Sequence, residues 1–383
     1  MLNQKICLVD FQEAAYQGNS VYTQILSRSQ LDLLYLSQAL AVRPNQVSVM
    51  SEREHMLTAH GIDYLQIPDQ PQDFWPAAAF DAIICLDSLQ AVHQIRPHLP
   101  QSSKLILWTH LPPEHIAMLP LKVPEVQQAF DAIICETGNL RGAYLKQYQL
   151  PPEKVIFFVP AIVRTLRKRF ASAQELGQIR HQRLTLGFMA RPEAGLAETL
   201  NCFETLQAGF SDLQLQIMLP PEFKAEDSNA DAMALLAQAR QMPGIQVKDA
   251  CPWTNHIEDI LKCHLMLQPV MPPHNEALRL INALGAGCQL IATEQSSLWD
   301  FCHDMVHWVS TDPAENFLQR FTQSVADCLT QQINAPADCL DNALEQAAKV
   351  QTGLTWDLRV WEWESLLYHM NPPQLSDTAL SAQ

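Results

Sequence analysis

Three places in this chain put a chemically competent side chain where an apolar run stops. Lys104-Leu105-Ile106-Leu107-Trp108-Thr109 reads as a strand that ends at His110, and Pro112-Pro113 forbids its extension. Leu184-Thr185-Leu186-Gly187-Phe188-Met189-Ala190 reads as another strand, and it ends at Arg191. Side chains at the carboxyl ends of parallel strands face the ligand crevice in doubly wound folds. A His placed there can hydrogen-bond a ligand, or it can cap its strand for structural reasons alone. An Arg placed there offers fixed positive charge to phosphoryl oxygens. The third place is the loop Pro272-Pro273-His274-Asn275-Glu276, which leads into Ala277, Leu278, Leu280, Ile281 and Leu284 at three- and four-residue steps. That is the period of a half-buried helix, and Gly285 and Gly287 end it. An apolar run (Leu265-Met266-Leu267-Gln268) precedes the loop and another (Leu290-Ile291-Ala292) follows the helix. The unit is therefore strand, loop, helix, strand, with the loop opening onto a helix N-terminus that suits an anionic ligand.

The elements that must position these residues read in order along the chain. Ile6–Val9, Gln46–Met50, Gly61–Pro68 and Phe80–Cys85 read as strands, with a long helix from Val21 to about Leu40 after the first. The six residues Phe80-Asp81-Ala82-Ile83-Ile84-Cys85 recur as Phe130-Asp131-Ala132-Ile133-Ile134-Cys135. The flanks differ, so we read two strands obeying one rule, an acidic residue opening a buried strand, and not a repeated unit. Leu213–Met218 and Ile245–Asp249 follow as strands in the second half. Thr355–Leu367 is helical, with aromatic and aliphatic residues along one face, and its Trp side chains are expected to serve packing. The tail after Asn371 is expected to be disordered.

At 383 residues the chain is too long for one ordinary core, so two domains are expected. Apolar residues are 48% and charged residues 17%, which supplies two cores. A net charge of −16 argues against nucleic acid as a partner and against a broad electrostatic membrane patch. No apolar run reaches membrane-spanning length, and Met1–Lys5 leads straight into a strand, not into a signal peptide. The 10 Cys are scattered without paired metal spacing, so buried reduced thiols in a cytoplasmic protein are expected.

The βαβ unit at 265–292 resembles the nucleotide-sugar-binding segment of glycosyltransferase family 4, a large retaining family with two Rossmann-like domains of the GT-B type. In that family the loop and helix carry a Glu, seven residues and a second Glu, then a small-residue helix end of the form Ala-x-Ala-x-Gly. Placed by Gly287, those positions here are His274 and Asn282, so both acids are missing. Glu276 lies two residues from the first position. The resemblance continues from about Lys5 to Leu367. It implies that the loop containing Gly18, Asn19 and Ser20 approaches the donor diphosphate or the acceptor, although only one glycine of the family's loop remains. His110 corresponds to a family His near the donor sugar. Arg191 matches the Arg that clamps the diphosphate, while Ala194 stands where the family has a second cation before Gly195. Trp253 lies in the segment beside the nucleotide base, where its face could stack on the base or fill the core.

What the resemblance implies is a two-domain α/β fold, two Rossmann-like domains facing each other across a cleft, with the last helix crossing back to the first domain. The expected divisions are 1–170 for the acceptor side, 171–352 for the nucleotide-sugar side, 353–371 for the returning helix and 372–383 for the tail. The implied activity is transfer of a sugar from a nucleotide-sugar donor to an unidentified glycan, lipid-linked or protein acceptor, with retention and without metal or other cofactor. His110 is the catalytic candidate. Gly18, Asn19, Arg191, Trp253, His274, Asn275, Glu276 and Asn282 are the donor-binding candidates. The alternative is a catalytically inactive relative acting as a binding or partner subunit, since both acids and the second cation are gone together. The only basic cluster, Arg164, Arg167, Lys168, Arg169, Arg180 and Arg183, reads as an interdomain linker or as a contact for a membrane surface or partner protein.

Overall fold

The structure is a computed structural model that describes residues 3–12, 16–52, 56–180, 183–221, 223–269, 279–294 and 298–371. Its first sheet contains β1 (Lys5–Asp10), β2 (Gln46–Ser51), β3 (Leu57–Ala59), β4 (Ile62–Gln66), β5 (Ala82–Leu86), β6 (Lys104–Thr109), β7 (Ala132–Cys135) and β8 (Val155–Phe157). The order is β3-β4-β2-β1-β5-β6-β7-β8, parallel except for β3 against β4. The second sheet contains β9 (Thr185–Phe188), β10 (Gln214–Met218), β11 (Ile245–Lys248), β12 (Leu265–Gln268), β13 (Gln289–Thr293) and β14 (Val306–Val309). All of its pairs are parallel, in the order β11-β10-β9-β12-β13-β14. Two doubly wound parallel sheets follow from the long apolar runs of the sequence, because strands covered on both faces cannot alternate with polar residues.

The duplicated Phe-Asp-Ala-Ile-Ile-Cys segments become β5 and β7, and they flank β6 in the sheet. Their opening acids have a physical task. Asp81 Oδ2 accepts the Lys5 N–H at 2.8 Å, and Asp131 Oδ2 accepts the Leu105 N–H at 2.9 Å. Each carboxylate thus satisfies an N–H at the start of the neighbouring strand.

The helix expected from Val21 to about Leu40 is broken. A short turn covers Ser20–Thr23, and the long helix runs Arg28–Ala41. Ser27 accepts the Gln30 N–H at 3.2 Å, and the Gln30 side chain accepts the Ser27 N–H at 3.1 Å. This reciprocal capping box starts a new helix and forbids continuity. Strands β3 and β14 were not expected from the sequence. The last helix, Trp356–Met370, returns to the first domain. Trp363 meets the Trp108 ring at 5.1 Å and the Phe158 ring at 5.2 Å, and Trp356 meets Tyr35 at 6.0 Å. One apolar cluster runs from Leu8 and Val49 through Ile162 and Leu166 to Leu280, Leu284 and Trp363. The two domains therefore share a core. No helix of the described residues is long and apolar enough to cross a membrane, and the expected tail lies outside them.

Candidate functional site

The first sheet delivers four polar residues to one edge. Asp10 ends β1, and Asp87, His110 and Glu136 follow the ends of β5, β6 and β7, which stand side by side with β1. The helix that begins at Arg28 adds Arg28 and Asp32 from its first turn and a half. The capping box at Ser27 fixes that helix start and so fixes both side chains.

His110 lies at the centre, its side chain 9% exposed. Its Nδ1 is 3.4 Å from Asp87 Oδ2, and its Nε2 is 3.4 Å from Glu136 Oε1 and 3.7 Å from Asp32 Oδ2. Asp87 Oδ1 also accepts the backbone N–H of His110 at 2.6 Å. Asp87 adopts φ 48°, a left-handed conformation that Asp tolerates better than most side chains. That backbone turn aims both carboxylate oxygens at His110. Arg28 closes the network, with Nε 2.7 Å from Asp32 Oδ2 and a terminal nitrogen 3.7 Å from Glu136 Oε1.

The electrostatics follow from this packing. Burial opposes the charged imidazole, but Glu136 and Asp87 outweigh it and hold the His110 pKa well above the usual value. Burial raises Asp87, yet the charge of His110 and the bonds from it bring the carboxyl below its usual range. Burial pushes Glu136 up to about 7, against the pull of His110 and Arg28. One donor atom each from Asp32, His110 and Glu136 lies within 4.8 Å of the others, a spacing that a metal ion could use. Here the guanidinium of Arg28 already supplies positive charge to both carboxylates, so the geometry is that of a salt-bridge network.

The second domain faces this edge with Arg191, half-buried just beyond β9, and Arg279, 7% exposed at the start of the helix Leu280–Gly285. Burial, then the like charges of Arg28 and Arg191, draw the Arg279 pKa down to about 9, opposed by Glu136. Arg279 therefore belongs to the same electrostatic neighbourhood as the His110 network and Arg191.

The remaining sequence candidates are distributed as follows. Gly18 packs against the first domain, where an added Cβ would meet His60 and Tyr64 at 3.1 Å. Asn19 is exposed and makes no side-chain cap to the turn that follows it. Trp253 is 2% exposed, opens the helix Trp253–Ile260 and lies in the shared apolar cluster. Asn282 is 2% exposed, and its Oδ1 accepts the Val163 N–H at 3.0 Å, tying the helix to the interdomain crossing. His274, Asn275 and Glu276 lie outside the described residues. In the basic cluster, Arg167 pairs with Asp357 and Arg169 with Glu258, while Arg164 donates to Gln38 Oε1 at 3.0 Å.

Sequence reasoning missed Arg28, Asp32, Asp87, Glu136 and Arg279. A signal existed for two of them, because Asp87 and Glu136 directly follow the duplicated strands.

No family model and no curated protein matches this chain. Solved structures do. A glycosyltransferase from Rickettsia africae ESF-5 superposes with TM-score 0.70 at 9% identity, over 97% of this chain and 100% of that one. HepE from Anabaena, in complex with UDP and glucose, superposes with TM-score 0.67 at 13% identity, over 95% and 99%. The catalytic domain of starch synthase IV from Arabidopsis thaliana, bound to ADP and acarbose, gives TM-score 0.64 at 9% identity, over 97% and 100%. Two parallel-sheet domains, the returning helix and these superpositions together establish that the chain has the GT-B fold.

Proposed function

We propose that this protein is a nucleotide-sugar-dependent glycosyltransferase, acting in the cytoplasm with retention at the transferred sugar. The observation that carries the reading is the meeting, at the carboxyl ends of both sheets, of the His110 network with Arg191 and Arg279. Transfer from a nucleotide sugar leaves a diphosphate, on which negative charge accumulates as the bond breaks. Fixed guanidinium groups lower that barrier without reorganising. Arg191 is the diphosphate contact that family 4 resemblance implies. Arg279 supplies the second positive charge in place of the cation lost at Ala194. His110, held as an imidazolium by Asp87 and Glu136, contributes positive charge at this edge through its position, since both of its nitrogens face carboxylates. No protein nucleophile is required if the acceptor attacks from the face the diphosphate leaves, so the chain contributes orientation and electrostatics. That HepE was solved with UDP and starch synthase IV with ADP supports a nucleoside diphosphate as the ligand class.

A second reading, a non-catalytic partner subunit, draws on two observations. Both His110 nitrogens face protein carboxylates, and the Asn282 oxygen is used by Val163. Calorimetry against UDP, GDP, TDP and ADP, followed by sugar release from the matching nucleotide sugars, decides between them. Saturable binding of one nucleotide, with turnover lost in His110→Ala, supports the transferase. Inertness toward every nucleotide and donor overturns it.

A further inference from the structure

The second domain holds a cavity of about 680 Å³ that lies away from the cleft. It opens at the amino ends of β9 and β10, whereas Arg191 lies beyond the carboxyl end of β9. The size is that of a small-molecule site, roughly 300–1,000 Å³. Among the described residues, its charged lining residues are Arg180, Arg183 and Lys262, and no carboxylate lines it. That is against the composition of a chain with net charge −16. Gln214, Gln216 and Gln246 project carboxamides from β10 and β11 into the same space, each able to donate and accept.

Arg180 is the residue that makes this a built site. It is 3% exposed, so its charge was taken out of water to stand at the cavity. One terminal nitrogen donates to the Ala286 carbonyl at 3.1 Å, which fixes the guanidinium plane. The Cys288 thiol is a further hydrogen-bond partner of this guanidinium, and its Nε alone has no partner among the described residues. A buried guanidinium with an unused donor costs free energy unless an anion completes it. The nearby His264 does not compete for that role. Its Nδ1 accepts the Thr185 N–H at 3.2 Å, and burial with Arg180 pushes its pKa down to about 4. Lys262 is held by Asp259 at 3.0 Å, which leaves Arg180 and Arg183 as the principal anion contacts.

We propose that this cavity binds a small phosphate ester with a hydroxyl-bearing body, the class of sugar phosphates. The phosphoryl group is held by Arg180 and Arg183, and the hydroxyls by the three glutamine carboxamides. The site is separate from the donor cleft and does not depend on the activity proposed there.

The test is isothermal calorimetry of the full chain at low salt with glucose 1-phosphate, ribose 5-phosphate, inorganic phosphate and glucose. Saturable binding of a sugar phosphate is expected, with no binding of glucose and weaker binding of inorganic phosphate. Arg183→Ala, at an exposed position, should weaken the ester by roughly tenfold or more, the worth of a charge-assisted contact. Arg180→Gln should abolish it, read alongside the melting temperature of that variant. Arg191→Ala should leave the binding unchanged. The proposal is overturned if no ester binds, if inorganic phosphate binds as tightly as the esters, or if Arg191→Ala removes binding that Arg183→Ala retains.

Discussion

Replacing Asp87 by Asn tests the ionic origin of the His110 network with little change of shape. Asn tolerates the left-handed backbone at this position, and its amide oxygen can keep the hydrogen bond from the His110 N–H. What disappears is the carboxylate charge 3.4 Å from Nδ1. With an effective dielectric of about 20, two charges at that distance attract by about 5 kcal/mol. The amide also avoids the several kcal/mol spent on burying a carboxylate. The net loss expected at neutral pH is therefore about 1–3 kcal/mol. Its pH dependence is the sharper check. The folded pKa of His110 is raised, so its contribution is complete below about 6.5, the unfolded value, and is lost as pH rises through the folded one. The folded pKa of Asp87 is lowered, so its contribution is present above about 3.9 and is lost as pH falls through the folded value. The difference between wild type and Asp87→Asn should therefore peak near pH 5–6.5 and shrink on the alkaline side. Urea unfolding followed by tryptophan fluorescence from pH 5 to 9 measures it. A difference that stays constant across that range, or a variant more stable than wild type at pH 6, would refute the reasoning.

Other outcomes follow from the same geometry. Burial raises Glu136 to about 7, so wild type should lose stability as pH rises from about 4.5 toward 7, and Glu136→Gln should flatten that slope in the same unfolding series. Trp363→Ala empties a site 1% exposed against Trp108 and Phe158, and should cost about 3–5 kcal/mol by chemical denaturation. Asn282→Ala should cost about 1–3 kcal/mol because the Val163 N–H loses its partner, and Asn282→Glu should be no better tolerated, since it buries a charge; thermal melts of both variants check this. Arg191→Ala and Arg279→Gln should each weaken nucleoside diphosphate binding by about 1.5–3 kcal/mol in calorimetry, and unchanged affinity in either removes that residue from the site.

The fold was legible because its signals are local. Phe80–Cys85 and Phe130–Cys135 are apolar on both faces, and Pro112-Pro113 and Gly287 punctuate the ends of their elements. The break at Ser27 was also legible, since Ser27-Arg28-Ser29-Gln30 is a capping-box pattern, but the apolar period on either side outweighed it. The site was legible only in part. His110 and Arg191 could be read from strand ends. That Asp87 and Glu136 flank His110 depends on β5, β6 and β7 being neighbours, and strand order is not written in any one segment. Arg279 sits at helical spacing among apolar residues and looks like an exposed helix residue until the second domain is folded around it. The short edge strand β3 carries too few residues to announce itself.

The returning helix has a consequence for how this protein is made. The Gln4 side chain donates to the Leu367 carbonyl at 3.5 Å across 363 residues of sequence. Trp108 and Phe158 likewise wait for Trp363, and Tyr35 waits for Trp356. At about 5–20 residues per second, a ribosome needs roughly 20–70 s to supply that last helix after the first strand emerges. Throughout that interval the nascent first domain displays an uncovered aromatic face beside His110. Its synthesis should therefore be sensitive to chaperone supply, and ribosome-stalled chains ending before Trp356 should bind trigger-type chaperones while those released after Met370 do not.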